Sequence, residues 1–259
     1  MAVAASTLES QAGWVALAMV RYVPVLVLAA YSPLRWAPAM IRITLALGLA
    51  WLTVLSIPET ALQAVPEGVG AWIRALVGEF AIGLIFGLAL LVPQAALHGM
   101  GWLLDVQAGF GAATLFNPGA DNDPQSLLGT ALSLAAVVLF FTLDLHQALY
   151  RGLVASVDWL PLGAAAARPD PEAFFGLLGH GFLLALALVA PVVLGLFAVD
   201  VAVAYATRSM PQANVYFLAL PLKVLVAMLL FAVAIRYAPE LLSRLYRDAF
   251  SRVPGMLGG

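Results

Sequence analysis

Cysteine is absent from this 259-residue sequence, and charge is scarce, with only 10% of residues Asp, Glu, Lys or Arg. Without thiols there can be no disulfide, thiolate nucleophile or thiolate metal site. Soluble domains carry roughly 25% charged residues, so this chain lacks the polar surface needed to face water on all sides. Its net charge is −2, from 12 basic and 14 acidic residues, and no run of like charge occurs. That balance excludes an electrostatic nucleic-acid footprint. The first thirteen residues hold Glu9 and no Lys or Arg, unlike a cleavable secretory signal, so the first apolar segment is expected to be retained.

Enzyme signatures are missing as well. There is no Walker loop, no G-x-S-x-G, no H-E-x-x-H and no Cys/His cluster, which argues against nucleotide, serine-hydrolase and zinc-peptidase chemistry. The fragment GFGAAT at Gly109–Thr114 lacks the third glycine and the preceding strand of a dinucleotide fingerprint. His98, His146 and His180 are widely separated, and Asp144, two residues from His146, falls on another helix face. They read as structural residues. No catalytic, cofactor or metal site is expected.

What is present is apolar. Hydrophobic residues make up 63% of the chain, and the mean hydropathy is +0.99. Apolar segments run over residues 14–31, 39–57, 73–97, 127–150, 182–206 and 215–235, each near the roughly 20 residues that a membrane-crossing helix needs. They are apolar on every face, whereas barrel strands alternate. The expected fold is therefore all-α: a polytopic membrane protein of about six hydrophobic helices with a re-entrant central loop. It is read as one domain, with N-terminal helices in 13–106, a central loop at 107–126, C-terminal helices in 127–236 and a polar tail at 237–259.

Trp14, Trp36, Trp72, Trp102 and Trp159 lie near segment ends or in connections, as interfacial anchors do, while Trp51 lies inside a segment. Pro24, Pro93, Pro191 and Pro221 fall in or near helices and should bend them. With six spans, Arg74, Arg151, Arg168, Arg236, Arg244, Arg247 and Arg252 share one face, against Arg35, Arg42 and Arg208 on the other. This bias predicts cytoplasmic termini.

Ionisable residues inside apolar segments cost roughly 2.5 to 3.5 kcal/mol at a helix centre, so they call for a partner or a polar cavity. Arg21, Glu79, Asp144, Asp200 and Lys223 are of this kind. For Arg21 and Glu79, near segment ends, either snorkelling or pairing inside a bundle fits. Lys223 follows Pro221 well inside an apolar run and is expected in a buried pair or a subunit contact. The most unusual stretch is QAGFGAATLFNPGADNDPQS, Gln107 to Ser126. Gly109 and Gly111 open backbone conformations closed to other residues, Phe110, Leu115 and Phe116 add apolar bulk, and Asn117-Pro118-Gly119 reads as a turn. Such a segment can fold back into a cavity lined by helices, or form a simple interfacial turn.

At this loop and in four other places the sequence resembles the FliR/SctT family of export-apparatus proteins, shared by flagella and injectisomes. Arg21 with Pro24, Pro33, Pro38 and Arg42 looks like the family's first hairpin. GEFAIGLIFG presents Glu79, Gly83 and Gly87 at its Glu-and-Gly helix, and QAGFGAATLFNP presents Gln107, Gly109 and Pro118 at its central loop. LFFTLDLHQALYRGLVASVDWLPLG carries Phe140, Phe141, His146, Ser156, Pro161 and Gly163 in the family's order. RSMPQANVYFLALPLKV is the sharpest block, with Arg208, Pro211, Gln212, Asn214, Val215, Phe217, Pro221 and Lys223. Departures occur in VAVAYATR, where glycines are expected before the arginine, and at Asp144, where glycine commonly precedes the histidine.

The resemblance implies a non-enzymatic single copy joined to FliP-like and FliQ-like subunits in a ring that passes unfolded protein substrates. FlhB-like and FlhA-like export components would lie nearby in the bacterial inner membrane. It further implies that the central loop, with Gln107, Gly109, Phe110, Gly111, Leu115, Phe116, Asn117 and Pro118, is similar to the plug of the closed gate. Arg21, Glu79, Gly83, Gly87, His146, Arg208, Pro211, Gln212, Asn214, Phe217, Pro221 and Lys223 are the expected assembly and packing residues, with Glu79 and Lys223 at subunit contacts. The flagellar branch is the first expectation and the injectisome branch the second. An independent small-solute transporter would need convergent polar residues at the bundle centre, and an intramembrane enzyme would need a catalytic constellation; the sequence offers few of the former and none of the latter.

Overall fold

The computed structural model describes residues 2–28, 37–57, 65–110, 126–164, 170–209 and 215–257. Every regular element among them is helical: α1 (Ala2–Val23) running into a π-helical turn (Pro24–Leu28), α2 (Ala39–Ser56), α3 (Val69–Ala108), α4 (Leu127–Thr142), α5 (Leu145–Trp159), α6 (Pro171–Ser209), α7 (Val215–Ala234), α8 (Ala238–Ser251) and α9 (Val253–Met256). Among the described residues, four helices are long and apolar enough to cross a membrane, or up to six if the bent pairs α4/α5 and α7/α8 each count as one span. The all-helical, multi-pass reading holds.

Element boundaries differ from the sequence expectation in instructive ways. The segment expected as one helix over 127–150 breaks at Leu143–Asp144, where Asp144 adopts a left-handed conformation (φ 55°) that few non-glycine residues take up. Helix α3 has 40 residues, so Gln107 and Ala108 belong to its last turn and not to the loop, and Trp102 lies within a helix instead of at its end. Trp14 likewise lies within α1. Pro93 and Pro191 are accommodated inside α3 and α6. The polar tail contains α8, whose apolar residues Ala238, Leu242, Leu245, Tyr246 and Ala249 are buried along one face. Periodicity was the missed signal, because a low mean hydropathy conceals an amphipathic helix.

The chain forms two compact units, residues 1–92, 144–178 and 246–259 in the first and 93–143 and 179–245 in the second. In the first, Leu17, Ala18, Arg21 and Tyr22 of α1 are buried, and α2 turns inward only a narrow stripe of Ala46, Ala50, Thr53 and Val54. Tyr22 and Thr53 join hydroxyls at 2.7 Å between these helices. The outer face of α2 shows Met40, Leu47, Trp51 and Leu55 to the surroundings. Pro24 has no N–H to continue the α ladder, and the chain widens there into the π turn. In α5, Leu145, Leu149, Leu153, Ser156 and Val157 form the buried stripe.

The second unit has one continuous core. Ala96, Leu97 and Leu104 of α3, Leu128, Leu132 and Ala136 of α4, Leu188, Val192 and Leu196 of α6, Ala227 and Phe231 of α7, and Leu242 and Leu245 of α8 all contribute. Gly101 and Gly129 let α3 and α4 come together, since a Cβ on Gly101 would overlap the Gly129 backbone. Beyond Leu196, α6 continues with Phe197, Val201 and Tyr205 exposed. Apolar side chains facing outward along a helix suit lipid or a neighbouring helix, not water.

Candidate functional site

Two polar clusters stand out against these apolar cores, one in each unit. In the first unit, Arg21 and Glu79 are each 1% exposed and form an ion pair, Arg21 Nε to Glu79 Oε2 at 2.5 Å and Nη2 to Oε1 at 3.1 Å. Arg21 also donates to Ser156 Oγ at 2.8 Å and to the Leu160 carbonyl at 2.9 Å. Glu79 accepts in addition from the Gly163 N–H at 2.9 Å. Gly163 has φ 84°, a left-handed position in the turn that carries this amide. One buried pair thereby ties together α1, α3, the end of α5 and the turn that follows it.

The glycines of α3 make this approach possible. A Cβ on Gly83 would collide with the Arg21 carbonyl, and one on Gly87 would sit 3.3 Å from the Pro24 carbonyl. The end of α1 and its π turn lie in the notch cut by Gly83 and Gly87, one helical turn apart. Arg42 of α2 donates to the Val27 carbonyl of the same π turn at 2.9 Å. Of the two alternatives open for Arg21 and Glu79, the structure shows pairing inside the bundle. The Glu79 carboxylate, at 1% exposure, is engaged within its own chain.

The second cluster surrounds the two ends of the central loop. Helix α3 closes in a turn in which the Gly109 N–H donates to the Val106 carbonyl at 3.3 Å and the Phe110 N–H to the Asp105 carbonyl at 3.0 Å. Gly109 has φ 86°, the left-handed position that such a helix stop reserves for glycine. Asp105, 6% exposed, accepts from Ser126 Oγ at 2.6 Å and from the Leu128 N–H at 3.1 and 3.2 Å. Ser126 Oγ in turn accepts from the Gly129 N–H at 2.8 Å as the N-cap of α4. A carboxylate near the C-terminus of α3 is unfavourably placed in that helix's dipole, but the same group faces the positive end of α4. The outcome is a clamp joining Asp105 to Ser126.

Lys223 of α7 is ion-paired with Asp200 of α6 and directs a 3.5 Å bond at the Gln107 carbonyl. Nearby, Leu220 packs over Gly109. Lys223 is thus paired within the chain, but with side chains 18% and 47% exposed this is not the buried pair expected. His146 is half-buried in the first turn of α5, while Arg208 is exposed in the last turn of α6 and Pro221 is exposed within α7. Phe217 lies in the α7 backbone. Gly111, Leu115, Phe116, Asn117 and Pro118 of the central loop, and Pro211, Gln212 and Asn214, lie outside the described residues. Asp105 was overlooked in the sequence, although an acid in the last turn of an apolar helix, followed by Ser126 just before the next apolar run, is a detectable signal.

A buried ion pair, helix caps and close glycine contacts define a polytopic helical membrane protein whose polar residues hold its helices together. The chain belongs to the bacterial export proteins, family 1, whose model matches residues 13–249. It is similar to Yop proteins translocation protein T of Yersinia pestis, at 30% identity over 181 residues covering 68% of this chain and 69% of that protein. Similarity extends to the flagellar biosynthetic protein FliR of Bacillus subtilis, 28% identical over 205 residues and 77% of each chain. FliR of Escherichia coli is 25% identical over 251 residues, 95% of this chain and 94% of that protein. The family indicated by the motif blocks is the family found.

Proposed function

We infer that this chain is a non-enzymatic subunit of a type III protein-export gate in the bacterial inner membrane, where with FliP-like and FliQ-like subunits it forms the channel for unfolded substrates. The observation that carries this reading is the export-family match across residues 13–249. Physical support comes from α3 and α6, whose 40 and 39 residues amount to about 60 Å of helix at 1.5 Å per residue. That is about twice the hydrocarbon thickness, a length suited to a helical assembly that rises beyond the bilayer. Exposed apolar faces on α2, α3 and α6 supply surface for neighbouring subunits. FlhB-like and FlhA-like components complete the apparatus.

The flagellar system is the first assignment, because the E. coli flagellar relative is matched over 95% of this chain. The injectisome is the second, because the Yersinia translocation protein is the more similar by identity, at 30% against 25%. The central loop is assigned as the seal of the closed channel, yielding to a passing polypeptide. A gentle-detergent pull-down of the tagged protein from its native host, with mass spectrometry, tests the assignment. Recovery of FliP-like and FliQ-like chains is expected, and their type identifies the system; a lone or homo-oligomeric protein would overturn the gate reading. Deleting residues 110–116 should raise ion leakage through the assembled complex, and unchanged conductance would count against the seal.

A further inference from the structure

Among the described residues, the turn that ends α3 supplies donors to only part of that helix's terminus. A helix leaves its last four carbonyls without intrahelical donors. Here the Gly109 and Phe110 amides cover the carbonyls of Val106 and Asp105. The next carbonyl, that of Gln107, is reached from another helix by the Lys223 ammonium. An ammonium has three protons and no acceptor capacity. One proton can serve Asp200 while another serves Gln107, so both contacts are compatible in one side-chain position.

The surroundings explain why both partners are needed. Lys223 lies in α7, in the run ALPLKVLVA, and an ammonium in such a segment needs a counter-charge. Asp200 provides it from α6, where its neighbours Phe197 and Val201 are exposed apolar residues. The Lys223 side chain is 18% exposed and that of Asp200 47%, so the cation is the more enclosed member. A positive charge at a helix C-terminus also interacts favourably with the helix dipole. We propose that Lys223 is a positioning residue for the end of α3: Asp200 orients its ammonium, the ammonium caps Gln107, and the three groups fix where the chain leaves the helix at Gly109. Only the second readout below rests on the export-gate reading.

Amide hydrogen exchange on the full-length protein, followed in the peptide covering residues 105–110, tests the cap directly. Lys223→Met should raise exchange there about two- to fivefold, the size of a lost cation at a helix C-terminus, while Lys223→Arg keeps the protection. The double exchange Asp200→Lys with Lys223→Asp retains an ion pair but puts an acceptor where a donor is required, so it should stay as unprotected as Lys223→Met. Full protection in the double variant would overturn the proposal and reduce the pair to a strut between α6 and α7. Unchanged exchange in Lys223→Met would overturn it as well.

Should Lys223→Met loosen α4 too, Lys223→Arg decides, because its guanidinium keeps both a charge for Asp200 and a donor for Gln107. Protection retained at 105–110 supports the cap, and protection lost refutes it. Membrane conductance of cells carrying the assembled complex is the second readout, with increased leakage expected for Lys223→Met. Altered exchange with unaltered conductance would sustain the cap and overturn its link to a channel seal.

Discussion

Replacing Glu79 by alanine would leave the Arg21 guanidinium charged, 1% exposed and without its counter-ion. Removing one member of a buried pair typically costs about 3–5 kcal/mol, and the Gly163 N–H loses its acceptor in the same step. The single change should therefore lie at or above the upper end of that range. Removing both charges with Arg21→Met and Glu79→Leu eliminates the stranded cation, and such apolar replacements are often neutral or better. The double variant is thus expected to be more stable than Glu79→Ala alone. Ser156→Ala removes one bond to a charged donor and should cost about 1.5–3 kcal/mol. Reversible unfolding of the purified protein in mixed micelles, analysed as a double-mutant cycle, measures these terms. A Glu79→Ala loss below about 1 kcal/mol, or strictly additive single changes, would refute the reasoning that the pair acts as one buried unit.

Gly83→Ala should destabilise the first unit by about 1–3 kcal/mol, the range for overpacking, because its Cβ collides with backbone; Gly87→Ala should cost less, and Gly48→Ala, with open space around it, should be tolerated in the same assay. Gly109→Ala forces a side chain into a left-handed position and should cost about 1–2 kcal/mol, seen as faster exchange at residues 105–110 with the rest of α3 unchanged. Asp105→Ala strands the Ser126 hydroxyl and the Leu128 amide at about 1–3 kcal/mol for each unsatisfied group; limited proteolysis between residues 110 and 126 should accelerate, and an unchanged cleavage rate would show that the clamp does not restrain the loop.

Composition alone determined the class of this protein. A chain with 63% hydrophobic and 10% charged residues cannot present a water-facing surface, and long apolar runs leave helices as the way to satisfy the backbone. The special backbone freedom at Gly109 was also legible, since conformations with positive φ fall to so few residue types, but that it ends a helix was not. The motif blocks containing Arg21, Glu79, Gly83 and Lys223 pointed to the export family before any geometry was available. Other features were hidden by the same composition. A uniformly apolar sequence gives little periodic contrast, so the full lengths of α3 and α6 and the break at Asp144 did not show.

Pairing was the matter that only the tertiary structure decided. Arg21 and Glu79 are 58 residues apart, and Arg21 and Ser156 are 135 apart; nothing local links them, because each could equally have snorkelled to an interface. Desolvation makes a lone buried charge intolerable, but which opposite charge relieves it depends on which helices the glycine notches allow to meet. The sequence by itself thus set the solvent, the helical class and the places where the chain must turn. The three-dimensional packing selected which charges meet, and so placed Asp105 and Lys223 at the base of the central loop.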